Sequence, residues 1–212
     1  MILYCAADPI YFNHYFKLWA QQCHKYYPSM KKIIALYNPT RETFMKCEEY
    51  GVNWKRAELP DNPERRHYYL LRWYNLPYEE NDLILETQIN CLPVKTQSFK
   101  DDNEDVEHLR ISRVKGGNRV GGVSAAVFTP DAAKKVVEHA KEMFSDPPDD
   151  DHPMNLWQEQ NLSFKTVVTE QQFKSLNKKI NDDTCWITAG TSKRFSISEK
   201  LGVLNHYTYN NE

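Results

Sequence analysis

From Ile10 to Tyr27 the large apolar residues Phe12, Tyr15, Phe16, Trp19, Cys23, Tyr26 and Tyr27 return every three or four positions. That spacing predicts a helix with a wide buried stripe. Asp8-Pro9 opens it, with Asp8 as N-cap and proline in the first turn, and Pro28 stops it. Residues 2–7 before it form a short apolar run of β character. Residues 32–37 read as a second strand, 40–50 as an amphipathic helix with Gly51 as its C-cap, and 52–59 as a third strand. The alternation is βαβαβ.

Residues 64–75 place Tyr69, Leu70, Trp73 and Tyr74 on one helical side, with Arg66 and Arg72 nearby. Residues 82–94 then read as one extended, buried strand, interrupted in its middle by Glu86-Thr87-Gln88-Ile89-Asn90. Residues 95–119 carry scattered charge of both signs and a Gly116-Gly117 pair, and are expected to be a mobile loop. Strand character returns over 120–129. An amphipathic helix follows over 130–144, with Ala132, Ala133, Val136, Val137, Ala140 and Phe144 inward. A Pro/Asp-rich turn at 146–153, a short helix at 155–161, a strand at 164–169 and a less regular tail complete the chain. Strands alternating with helices predict an α/β fold, a single domain with a mostly parallel central sheet and helices on both faces.

Composition narrows the classes. With 212 residues, 41% hydrophobic and 13% aromatic, the chain has ample material for a core. A net charge of -2 disfavours a generic polyanion binder. No apolar run reaches the roughly 20 residues that span a bilayer, and the N-terminus lacks a basic leader, so a cytoplasmic setting is expected. Five widely spaced cysteines without a CxxC pair read as buried thiols.

In an open parallel sheet, ligands lie beyond the carboxyl ends of the strands, where loops diverge and helix N-termini present free N–H groups. That rule selects Ala6, Ala7 and Asp8 after the first strand, Asn38 after the second, and 86–90 where the fourth strand breaks. Buried polar groups without partners cost about 1 to 3 kcal/mol each, so the break implies that something binds them, either a ligand or neighbouring loops.

A first strand ending Ala-Ala-Asp before a Tyr-rich helix resembles the GT-A type of glycosyltransferase. So do Arg72-Trp-Tyr-Asn-Leu-Pro77 and Asn81-Asp-Leu-Ile-Leu-Glu-Thr-Gln-Ile-Asn-Cys-Leu92. Gly121-Gly122-Val-Ser-Ala-Ala-Val-Phe-Thr129 is similar to the strand after the donor site in that family, and Trp157-Gln-Glu-Gln-Asn-Leu162 to its Asp-Gln-x-x-Leu helix. The resemblance implies a Rossmann-like GT-A domain: a nucleotide-binding half over 1–94, a mobile loop over 95–119 and an acceptor-side half over 120–212. It implies a nucleotide-sugar donor held by Ala6, Ala7, Asp8, Tyr11, Arg66, Arg72, Gln88, Asn90, Gly121 and Gly122, with Glu86 and Glu159 as catalytic candidates. The acceptor stays open among a glycan, a protein and a modified DNA base.

The family's Asp-x-Asp pair supplies hard oxygen ligands to Mn²⁺ or Mg²⁺ at the diphosphate. Here Gln88 and Asn90 stand at those positions, and amides bring no charge. Three readings are open: a weak metal site including Glu86, Asn90 and His206; metal-independent transfer with Arg or Lys on the diphosphate; or an inactive nucleotide-sugar-binding or assembly subunit. Several residues also have plain structural readings. Asp8 is a helix cap, Arg72 a surface partner of Glu79 or Glu80, 149–152 a solvated turn, and His206 an edge residue. A different Rossmann-like enzyme lacks support, because neither GxGxxG nor GxxxxGK[ST] occurs.

Overall fold

A computed structural model describes residues 1–99, 104–112, 125–168, 173–175 and 185–188. In chain order its strands are β1 (Ile2–Ala7), β2 (Lys31–Leu36), β3 (Asn53–Arg56), β4 (Ile84–Thr87), β5 (Cys91–Pro93), β6 (His108–Ser112), β7 (Ala125–Phe128), β8 (Phe164–Val168), β9 (Phe173–Ser175) and β10 (Trp186–Thr188). Its helices are α1 (Pro9–Tyr26), α2 (Arg41–Glu49), α3 (Leu71–Tyr74), α4 (Pro130–Glu142) and α5 (His152–Asn161). A seven-stranded sheet runs β3-β2-β1-β4-β7-β6-β8, and a three-stranded sheet runs β5-β10-β9. β1 pairs in parallel with β2 and β4, β2 with β3, and β6 with β8. β7 is reversed against both β4 and β6. The α/β class and the mainly parallel sheet stand as expected.

Side chains alternate between two cores across the main sheet, as a sheet covered on both faces requires. Leu3, Cys5, Ala7, Ile34, Leu36 and Leu85 pack against α1 through Phe12, Phe16 and Trp19. Ile2, Tyr4, Ile33, Ala35 and Ile84 pack on the other face, where Leu71 and Trp73 of α3 meet Val136 and Ala140 of α4. Asp8 caps α1, its Oδ1 accepting from the Tyr11 N–H at 2.9 Å. Gly51 follows α2 at φ +60°, the left-handed geometry that favours glycine.

Three expectations change. The single interrupted strand over 82–94 is two strands in different sheets: the Cys91 N–H bonds the Gln88 carbonyl at 2.8 Å, and this tight turn sends β5 away to lie on β10. The polar break is therefore a strand end. Within 95–119, residues 108–112 are not loop but β6, laid between β7 and β8, with Leu109 buried in the α1-side core. The helix over 64–75 is a 3-10 turn (Arg65–Tyr69) followed by the single α turn of α3. His67 locks that turn: Nδ1 accepts from the Glu64 N–H at 2.9 Å, which leaves Nε2 to donate to the Phe144 carbonyl at 3.1 Å.

Below the end of β4, Trp19 Nε1 donates to Thr87 Oγ1 at 3.1 Å, and the Thr87 hydroxyl donates to the Tyr4 carbonyl at 3.5 Å. This ties α1, β4 and β1 together under one edge of the sheet. Trp19→Phe removes the indole donor and leaves a gap, and is expected to lower stability by about 1 to 3 kcal/mol, read from urea midpoints. A change below about 0.5 kcal/mol would show the tie to be dispensable.

Candidate functional site

β1, β2 and β4 are mutually parallel, so their carboxyl ends reach the same edge. The chain leaves β1 toward β2 on one side and returns to β4 on the other, which makes the β1–β4 boundary a switch point. A cleft of about 720 Å³ opens there. Ala6, Ala7, Asp8, Pro9, Ile10 and Tyr11 line it from β1 and the start of α1. Tyr37 and Asn38 contribute from the end of β2, Asn38 at φ +45°, a left-handed conformation that asparagine tolerates. Thr87, Gln88, Ile89 and Asn90 line it from the end of β4. Arg65, Tyr68, Tyr69, Leu71 and Arg72 form the facing wall, joined by Asp151 from the residue before α5.

The charged centre of the cleft is a buried network around Arg72. Its side chain is 10% exposed; Nη1 lies 3.4 Å from Glu86 Oε1, and Nη2 lies 3.1 Å from Asp151 Oδ2. Its guanidinium sits 4.0 Å over the Trp73 ring, and Trp73 Nε1 donates to Asp151 Oδ1 at 3.4 Å. Burial alone would lower the Arg72 pKa, but the Asp151 and Glu86 carboxylates outweigh it and raise the pKa. Glu86 is fully buried, and burial pushes its carboxyl up to about 7 against the pull of Arg72, with Asp151 adding to the rise. Burial also raises Tyr11, helped by Asp8 and Tyr69.

Ala6, Ala7, Asp8, Tyr11, Arg72, Gln88 and Asn90 line this one cleft, and Asp8 is both helix cap and cleft wall. Arg72 does not pair with Glu79 or Glu80, which take Lys55 and Lys31. Arg66 is a correction: its guanidinium turns away to Glu64, Asp146 and Asp149 at 3.3, 3.5 and 3.9 Å, while Arg65 takes the cleft position. Glu86 is a second correction, lying on β4 beneath the cleft and not in its lining. Glu159, on α5, is likewise absent from the lining. Gly121, Gly122 and His206 lie outside the described residues. Asp151 belongs to the cleft although the Asp run after Pro147-Pro148 reads as solvated. Asp149 does stay exposed, but Asp151 is drawn in by Arg72 and Trp73.

A resident divalent ion needs charged oxygen donors that converge. At the end of β4 the donors are the amides of Gln88 and Asn90, and no group of three or more His, Cys, Asp or Glu side chains among the described residues is placed to hold a metal. The carboxylates of the cleft lining are Asp8, which caps α1, and Asp151, which pairs with Arg72. The arginines of the cleft lining are Arg72, held by Glu86, Asp151 and Trp73, and Arg65, which is exposed.

A largely parallel sheet with one reversed inner strand and a cleft at the β1–β4 switch is the GT-A glycosyltransferase fold, and the chain has that fold. The galactosyltransferase LgtC, solved in complex with donor and acceptor sugar analogs, matches 98% of this chain and 94% of its own at a TM-score of 0.61 and 10% identity. The glycosyltransferase GlyE of Streptococcus pneumoniae TIGR4 matches 99% of this chain and 63% of its own at 0.63 and 10%. A glycosyltransferase involved in glycosylating the major capsid of PBCV-1 matches 97% and 100% at 0.57 and 8%. No family model and no curated protein matches the sequence. Among the described residues no helix is long and apolar enough to cross a membrane.

The raised Glu86 pKa fixes a sign for stability. The native protein holds this proton more tightly than the unfolded chain does, so the stabilisation is complete below about pH 4.5 and is lost as pH rises through about 7. Glu86→Gln removes that slope. From pH 5 to pH 8 the variant is expected to gain about 1 to 3 kcal/mol on the wild type in chemical denaturation. Parallel curves for the two proteins would place the Glu86 pKa near its ordinary value.

Proposed function

We propose that this chain is a glycosyltransferase that moves a sugar from a nucleoside-diphosphate donor to a glycan, protein or modified-base acceptor, with arginine in place of a divalent ion at the diphosphate. One observation carries the reading. Seven residues that the family resemblance assigns to nucleotide-sugar contact, from three separate segments of the chain, line one cleft at the carboxyl edge of β1, β2 and β4. In the reaction the bond from the sugar anomeric carbon to the diphosphate oxygen breaks, a bond to an acceptor oxygen or nitrogen forms, and the acceptor loses a proton. Charge builds on the departing diphosphate. A prepositioned guanidinium stabilises that charge without reorganising when the reaction occurs. Tyr11 and Asp8 take the nucleoside end, Gln88 and Asn90 the diphosphate end as hydrogen-bonding amides, and Arg72 the leaving charge. Tyr37, Tyr68 and Tyr69 give the cleft an aromatic wall against which a base or sugar ring can pack.

The same amides at Gln88 and Asn90 favour a second reading, a subunit that binds a nucleotide sugar without turning it over. A panel of UDP- and GDP-sugars, assayed for donor hydrolysis with Mn²⁺ and with chelator, separates the two. Turnover that persists in chelator is expected, binding without turnover in the presence of candidate acceptors would establish the silent subunit, and no binding at all would overturn both. Arg72→Ala is expected to weaken nucleoside-diphosphate binding by about 1 to 3 kcal/mol in calorimetry. An unchanged dissociation constant would remove Arg72 from the diphosphate.

A further inference from the structure

We infer that Glu86 is the positioning residue of the cleft arginine: from beneath the floor, its carboxyl group fixes how the Arg72 guanidinium is presented to a bound diphosphate. This rests on the nucleotide-diphosphate reading above and deepens it. Glu86 is fully buried on β4, with Tyr4 of β1 and Ala126 of β7 as its paired neighbours, and it does not line the cleft. It cannot act as a base or nucleophile toward a ligand there. What it touches is Arg72, through Nη1 at 3.4 Å.

Three further contacts on Arg72 among the described residues differ in kind. Asp151 grips Nη2, but it is a cleft residue with a side chain 25% exposed, so an arriving diphosphate competes with it for the guanidinium. Trp73 supports the flat face at 4.0 Å, and the Tyr4 hydroxyl donates to the Arg72 carbonyl at 3.2 Å. These two set the plane and the backbone, yet neither sets the rotation of the guanidinium within its plane. Glu86 bears on Nη1 in that plane, buried under the floor on a central strand where no cleft ligand displaces it. Arginine's planar fork loses less freedom per hydrogen bond when it is preorganised in this way.

The position also carries a cost. Neighbouring Ile84 and Leu85 are apolar and buried, whereas Glu86 brings a carboxyl whose Oε2 has no hydrogen-bond partner among the described residues. A central strand is more stable with an apolar side chain there than with a half-satisfied carboxyl. Local rules broken at a central position of this sort mark functional sites. The compensating contact is the one to Arg72.

The experiment compares UDP and GDP with uridine and guanosine by calorimetry, in wild type, Glu86→Gln, Glu86→Leu, Arg72→Ala and the Glu86→Leu/Arg72→Ala double variant. Near-UV circular dichroism confirms the folded fraction. Glu86→Leu is expected to cut the preference for diphosphate over nucleoside by about tenfold with nucleoside affinity unchanged, and Glu86→Gln, which keeps the acceptor, to stay within about threefold of wild type. In the Arg72→Ala background Glu86→Leu is expected to change nothing further. An equal loss for nucleoside and diphosphate, or an undiminished effect without Arg72, overturns the inference. If Glu86→Leu does not fold, Glu86→Asp, which withdraws the carboxyl by one methylene, decides: a fall of at least about threefold supports the inference and wild-type preference overturns it. A wild-type protein with no preference for diphosphate over nucleoside overturns the proposed function first, and so the two failures are distinguishable.

Discussion

The parallel pairing of β1 with both β2 and β4 brings three strand ends to one edge, and the cleft opens where the chain diverges beyond them. Each strand there must hand its chain to a turn. After β1 the turn is a capped helix start, after β2 a left-handed asparagine, and after β4 a tight reversal into a second sheet. The backbone diverges in three directions and leaves a concavity lined by the residues that follow the strands. Below it, the Trp19, Thr87 and Tyr4 chain of hydrogen bonds keeps the three elements from separating.

A guanidinium placed in that concavity has to be held against its own desolvation. Two carboxylates and an indole face supply the hold: Glu86 from under the cleft floor, Asp151 from 79 positions away, and Trp73 from the adjacent position. The result is a fixed positive group in a cleft that the Gln88 and Asn90 amides also line. Electrostatic help of this kind depends on geometry more than on net charge, and the chain's overall balance of -2 is no obstacle to it.

Local pattern was enough for the parts of the site that follow directly from strand ends. Ala6, Ala7 and Asp8 sit where a capped helix meets a buried strand, and Gln88 and Asn90 sit where apolar residues stop. Both signals are short-range. Asp151 is 79 positions from Arg72, and nothing nearby distinguishes it from the solvated Asp149. Residue His108 opens a five-residue strand whose charge resembles the loop around it, so only its pairing with β7 and β8 reveals it. Arg65 and Arg66 exchange roles because the segment is a 3-10 turn and not an α-helix, which shifts each side chain around the axis. Glu86 was legible as a polar break but not as a residue facing away from the cleft. That distinction depends on where β4 ends.

The most direct measurement is a crystal structure of the protein soaked with a nucleoside diphosphate. The account predicts the base and ribose against Tyr11 and Asp8, and the phosphates at the end of β4 within hydrogen-bonding distance of Arg72, with Glu86 still beneath the guanidinium. Nucleotide found elsewhere on the molecule, or in the cleft with its phosphates turned away from Arg72, would contradict it.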